Sequence, residues 1–153
     1  MLSRLLPKSA DNTYRGHKLA LVLLGLVLFV KTAISLGSIF NGYTATTSAD
    51  GIPIDTYGPA GAQTVLSIVA ALGLANVIIC LIGIVVLIRY RSLVPFMFAI
   101  LFVQQLAREL VLELLPIART GAPPGVSINL VMLIVMAVGL VLSLWPRTDH
   151  HPG

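Results

Sequence analysis

Residues 64–92 read TVLSIVAALGLANVIICLIGIVVLIRYRS. From Thr64 to Ile88 no position carries a charge. At about 1.5 Å per helical residue such a block is long enough, with some tilt, to cross a hydrocarbon core about 30 Å thick. It ends abruptly at Arg89-Tyr90-Arg91-Ser92, and apolar sequence resumes at Leu93. Four residues leave room for little more than a reversal. The sequence therefore predicts that the spans on either side form an antiparallel hairpin within one bilayer.

Working outward, the next block starts at Leu93 with Pro95 in its first turn, where a missing N–H does no harm. It runs apolar to Val103, turns polar through Gln104, Gln105, Arg108, Glu109 and Glu113, and breaks at Pro116. Gly121-Ala122-Pro123-Pro124-Gly125 is a turn, and Val126 to Trp145 is a further apolar block. Upstream, Leu19 to Phe40 is too long for the apolar region of a signal peptide, about 7–15 residues, and reads as a retained first span. Between it and Thr64 lies a Gly-, Pro-, Ser- and Thr-rich segment, Asn41 to Gln63, without Lys or Arg.

The expected architecture is thus all-α, a four-helix transmembrane antiparallel bundle running up-down-up-down, with spans at 19–40, 64–88, 93–115 and 126–145. A basic cytoplasmic segment (1–18) precedes this membrane domain (19–145), and a cytoplasmic tail (146–153) follows it. Composition agrees. Of 153 residues, 57% are hydrophobic and 10% charged, and mean hydropathy is +0.96. Soluble chains average about 25% charged residues, so this chain has too little polar surface to cover a globule in water.

Basic residues set the orientation. Arg4, Lys8, Arg15, Lys18, Arg89, Arg91 and Arg147 fall on one side, against Arg119 alone on the other, with Lys31 and Arg108 within spans. The positive-inside rule places both termini and the Arg89–Arg91 turn in the cytoplasm. The expected location is the bacterial inner (plasma) membrane, and the lipid bilayer is the first partner. A homo-oligomer or a membrane-protein partner are further expectations. The basic residues do not interleave with aromatics on one face, which argues against nucleic-acid binding.

The polar residues inside the spans carry whatever chemistry the chain has. Lys31 sits about 18 Å along the first helix, where an unpaired charge costs a few kcal/mol (about 2.5–3.5 on insertion scales). Gln105, Glu109 and Glu113 recur at i+4 on the third helix, with Gln104 and Arg108 on the adjacent stripe. By depth, Lys31 faces Gln105 and Glu109, and Arg108 pairs with Glu113, Glu109 or a lipid phosphate. Asn129, one turn into the fourth helix, is at the depth to join. Two readings compete for this cluster: a static lock between helices, or a polar cavity that moves a proton, ion or small solute. Asn76 reads as an interhelical hydrogen-bonding residue, and Ser67, Ala71 and Ala75 as a small-residue stripe that packs within the bundle or between copies.

Other chemistry finds no support. Cys80 is the single cysteine, which rules out an intramolecular disulfide and any multi-cysteine metal site, and it reads as a buried hydrophobe. No histidine lies within a span, so axial haem ligation has no imidazole to use. His150 and His151 belong to the tail. Asp50-Gly51 and Asp55 lack calcium-loop spacing and read as turn residues. No metal site, no cofactor and no catalytic set is expected.

Ala10-Asp11-Asn12-Thr13-Tyr14-Arg15-Gly16-His17-Lys18, Ser48-Ala49-Asp50-Gly51-Ile52-Pro53 and Arg119-Thr120-Gly121-Ala122-Pro123-Pro124-Gly125 resemble stretches of small bacterial four-helix inner-membrane proteins. That resemblance implies a fold and a membrane, and it carries no functional residue over. Size and four spans are also similar to the small multidrug resistance transporters. Those carry a glutamate in the first helix, where this chain has Lys31 and no acid. The leading expectation is an accessory or structural membrane protein whose charged cluster fixes helix packing. The alternative is a small oligomeric transporter or channel-like protein using Lys31 and Glu109.

Overall fold

The structure is a computed structural model that describes residues 5, 7 and 9–145. Arg4, Lys8, Arg147, His150, His151 and the 146–153 tail lie outside the described residues. Four helices are long and apolar enough to cross a membrane: α1 (Lys18–Phe40), α2 (Pro59–Arg89), α3 (Val94–Leu114) and α4 (Pro124–Leu144). The described residues include no β-strand. Many large apolar side chains stand at the surface, among them Val22, Phe29, Leu72, Ile88 and Val103. That is the surface of a chain whose solvent is lipid.

Helix starts follow local chemistry. His17 caps α1, its Nδ1 accepting from the Leu19 N–H at 3.2 Å. Helices α2, α3 and α4 each carry a proline in the first turn, Pro59, Pro95 and Pro124, where the absent N–H would have had no intrahelical acceptor. Gly58-Pro59 is therefore a helix start, and α2 begins at Pro59, earlier than the Thr64 expected from hydropathy. The segment before it is also more ordered than its composition predicts. It holds a short helix (Gly42–Thr44), a π-helical turn (Ala45–Ala49) and a 3-10 turn (Ile54–Thr56).

Packing departs from the chain order. α1 lies closely against α2 and against α4, and α3 lies closely against α4. The α2–α3 pair, joined through the short turn at Arg91–Leu93, touches only sparsely, so the expected hairpin is splayed. A short connection fixes the distance between two helix ends and nothing beyond them. Close approach of α1 and α2 depends on Gly83, where a Cβ would collide with Leu28, and on Gly73, where one would stand 2.9 Å from the Ser35 carbonyl. Ser67, Ala71 and Ala75 are exposed, so the small-residue stripe makes none of this packing.

The apolar core gathers Ala20, Leu24, Val27 and Leu28 of α1, Cys80 and Val86 of α2, Val94, Met97, Phe98 and Leu101 of α3, and Met132 and Met136 of α4. A strap formed by residues 9–17 closes the bundle at this core. Ser92 Oγ donates to the Asp11 carbonyl at 2.9 Å and accepts from the Asp11 N–H at 3.0 Å. The His17 N–H reaches the Leu142 carbonyl at 3.2 Å. Tyr14 donates its hydroxyl to the His17 carbonyl at 3.2 Å. Burial pushes that phenol up to about 12, so it remains a donor at neutral pH.

The segment before α2 meets the chain before α4. Thr120 donates both its N–H, at 2.8 Å, and its hydroxyl, at 3.1 Å, to the Gly51 carbonyl. Gly51 holds φ at 70°, a left-handed conformation that favours glycine. A Cβ on Gly51 would also stand 3.0 Å from Pro123. Two of the stretches singled out in the sequence, Ser48–Pro53 and Arg119–Gly125, are thus partners in space.

Candidate functional site

Gln105 is the centre of the site. It lies on α3 one heptad past Phe98, on the same face, and is 4% exposed. A buried carboxamide has to satisfy both its donor and its acceptor ends. Its Oε1 accepts from Lys31 Nζ at 3.3 Å, and its Nε2 donates to Glu109 Oε1 at 3.2 Å, one turn further along. The same Glu109 oxygen accepts from Arg108 Nη1 at 3.1 Å. The result is a continuous chain, Lys31–Gln105–Glu109–Arg108, joining α1 to α3. Lys31 and Glu109 meet through the Gln105 amide rather than directly. Arg108 takes Glu109 as its partner, and it is the only ion pair among the described residues.

A second contact runs beside the first. Gln104 Nε2 donates to Asn76 Oδ1 at 2.7 Å and ties α3 to α2. Adjacent glutamines on α3 therefore reach two different helices, Gln105 to α1 and Gln104 to α2. Neither connection rests on extensive helix packing, because α3 touches both helices only sparsely. Gln104 Oε1 and Thr32 Oγ1 are buried without a hydrogen-bond partner. Glu113 is exposed and Asn129 partly buried; among the described residues neither enters the chain of hydrogen bonds.

Asp50, read from sequence as a turn residue, belongs to the edge of the site. It is partly buried, and its carboxylate lies against Gly125 at the start of α4. Burial raises its carboxyl above the usual aspartate range, and the Arg108 and Arg119 charges pull it back down. The loop before α2 thus places an acid within electrostatic reach of the Arg108 that closes the intramembrane chain. No periodicity marks this residue; its only signal is that the Ser48–Pro53 and Arg119–Gly125 stretches stand out together.

The chemistry open to this arrangement is narrow. A carboxamide does not titrate, so Gln105 interrupts any direct proton transfer between Lys31 and Glu109. Two grooves, of about 370 Å³ between α1 and α4 and about 200 Å³ between α1 and α2, are lined almost wholly by apolar side chains, and neither includes Lys31, Gln105 or Glu109. Among the described residues no three His, Cys, Asp or Glu side chains come together as metal ligands. Compared with protein-family models, curated proteins and solved structures, the chain matches none.

Proposed function

We propose that this chain is a small accessory or structural protein of the bacterial inner membrane, and that the Lys31–Gln105–Glu109–Arg108 chain fixes α3 within its bundle. The observation that carries the reading is Gln105: buried, and hydrogen-bonded at both ends of its amide to groups on two helices. In lipid no hydrophobic drive pulls helices together, so polar contacts and close packing have to supply it. A helix that packs sparsely on two of its three neighbours is where such contacts matter most.

The topology belongs to the same proposal: up-down-up-down, with both termini cytoplasmic. The exposed cations Arg15, Lys18, Arg89 and Arg91 support it through the positive-inside rule. So do the strap contacts of Ser92 with Asp11 and of His17 with Leu142. A transport reading draws on two observations, the unpartnered Gln104 Oε1 and Thr32 Oγ1, polar atoms that a water or solute could satisfy.

Glu109→Gln separates the two. In the structural reading it removes the counter-charge from Arg108 and weakens the hold on Gln105, lowering the thermal midpoint in detergent by several degrees. In the transport reading the midpoint stays and a pH-dependent flux in proteoliposomes disappears. An unchanged midpoint with no flux in either protein would sink both.

A further inference from the structure

We propose that the end of the bundle carrying Arg15, Lys18, Arg89 and Arg91 is a docking surface for anionic phospholipid headgroups, assembled by the strap; this rests on the membrane reading above. All four cations are exposed. Among the described residues none of them is in an ion pair with a carboxylate, since Arg108–Glu109 is the one pair formed. Asp11, the acid within electrostatic reach of Arg15, is already engaged by hydrogen bonds of its own. Its Oδ1 accepts the Thr13 N–H at 2.9 Å and also the Thr13 hydroxyl, and its Oδ2 accepts the Ser9 hydroxyl at 3.3 Å. Those bonds, led by the two from Thr13 and joined by a smaller pull from the Arg15 charge, hold its carboxyl below the usual aspartate range.

The strap brings the charges together. Arg15 and Lys18 are 71 or more positions from Arg89 in sequence. The three hydrogen bonds between Asp11 and Ser92 set the strap beside the Arg89–Arg91 turn, and the His17–Leu142 bond fixes its other end on α4. Buried Gly16 seals the seat, since a Cβ there would meet the Ser143 carbonyl and the Tyr14 ring. Tyr90 lies between Arg89 and Arg91 in the chain, and Trp145, 64% exposed, follows two residues after the Ser143 that Gly16 meets; both are aromatic types that settle at headgroup level. A set of cations held in place before binding loses less entropy on engaging phosphates than cations on a loose tail. Near an anionic leaflet each such residue favours association roughly five-fold.

The test uses the full chain in mild detergent, titrated with phosphatidylglycerol or phosphatidylcholine of the same acyl chains and read by native mass spectrometry. The expected result is retention of phosphatidylglycerol at least several-fold above phosphatidylcholine. Arg89→Gln with Arg91→Gln, and separately Arg15→Gln with Lys18→Gln, should each reduce the phosphatidylglycerol signal and leave the phosphatidylcholine signal unchanged. Ser92→Ala, which unpins the strap and keeps every charge, should lower the preference by a smaller factor. Equal retention of the two lipids by the unaltered protein overturns the proposal. So does a preference that survives loss of all four cations. Maleimide labelling of cysteines introduced at Asn12 and at Thr56 reads sidedness independently, because the native Cys80 is buried. Lipid preference with reversed labelling would refute the topology and leave the docking surface standing.

Discussion

Phe98 and Gln105 lie on one face of α3, two turns apart, and both are nearly inaccessible, yet different forces hold them. Phe98 sits against α4 at Gly139, where any Cβ would strike its ring. It is surrounded by the apolar core that gathers under the strap. Gln105 sits among charges, with Lys31 on one side and Glu109 on the other. In water the apolar position would gain from burial and the polar one would not. In lipid the apolar one gains nothing by leaving solvent, because the acyl chains are as apolar as its neighbours. What remains at Phe98 is the fit of one ring into the space a glycine leaves. At Gln105 it is the cost of leaving a charge without a partner.

That difference fixes the order in which substitutions should hurt. Gln105→Leu should cost most, about 2–3 kcal/mol, because it strips Lys31 of its acceptor within the hydrocarbon. Reversible unfolding in mixed micelles would measure it. The sharper outcome is the rescue. Lys31→Met added to Gln105→Leu should recover most of the loss, since replacing both partners leaves no orphan. A double variant as unstable as the single one would mean that Gln105 acts by shape and that the two halves of α3 do not differ.

Phe98→Ala should come second, about 2 kcal/mol from the cavity alone at roughly 24 cal/mol per Å³. The transfer contribution that adds to such losses in soluble proteins should be missing here. No single polar change elsewhere should rescue it. A loss well above that of Gln105→Leu would reverse the comparison and show the core half to be the anchor of the fold. Third, Asn76→Leu breaks only the Gln104 contact and should cost about 0.6 kcal/mol, the average for an interhelical hydrogen bond in a membrane.

The two halves also differ in how far the sequence reveals them. Four spans are legible because predominantly apolar blocks of membrane length leave the backbone few alternatives. Counting along α1 and α3 also brings Lys31 and Gln105 to similar depth, and depth needs only rise per residue. Rotation about each helix axis is not legible. It depends on which small residues admit a neighbour, and α1 approaches α2 at Gly73 and Gly83, not along the regular Ser67, Ala71, Ala75 stripe. Spacing alone also leaves Arg108 three candidate partners, of which the structure pairs it with Glu109. Asp50 is hidden more deeply, since its position depends on a π-helical turn and a left-handed glycine, neither of which has a period.

Asp50 offers the smallest and most specific test, because it caps the polar half and has no counterpart over the core. Burial raises its folded pKa, outweighing the pull of Arg108 and Arg119. A raised pKa means that the folded chain binds a proton more tightly than the unfolded one. Stability therefore falls as pH climbs from the usual aspartate pKa to the raised value, and stays lower above it. At neutral pH the ionised carboxylate is a burden that Asp50→Asn removes. Thermal midpoints across about pH 4 to about pH 8 should show the variant equal to the natural protein in acid and slightly more stable near neutrality. The opposite sign would mean that attraction to Arg108 exceeds the cost of burial. Asp50 would then be a fifth member of the chain that runs from Lys31, and the polar half of the bundle would extend out of the membrane into its loop.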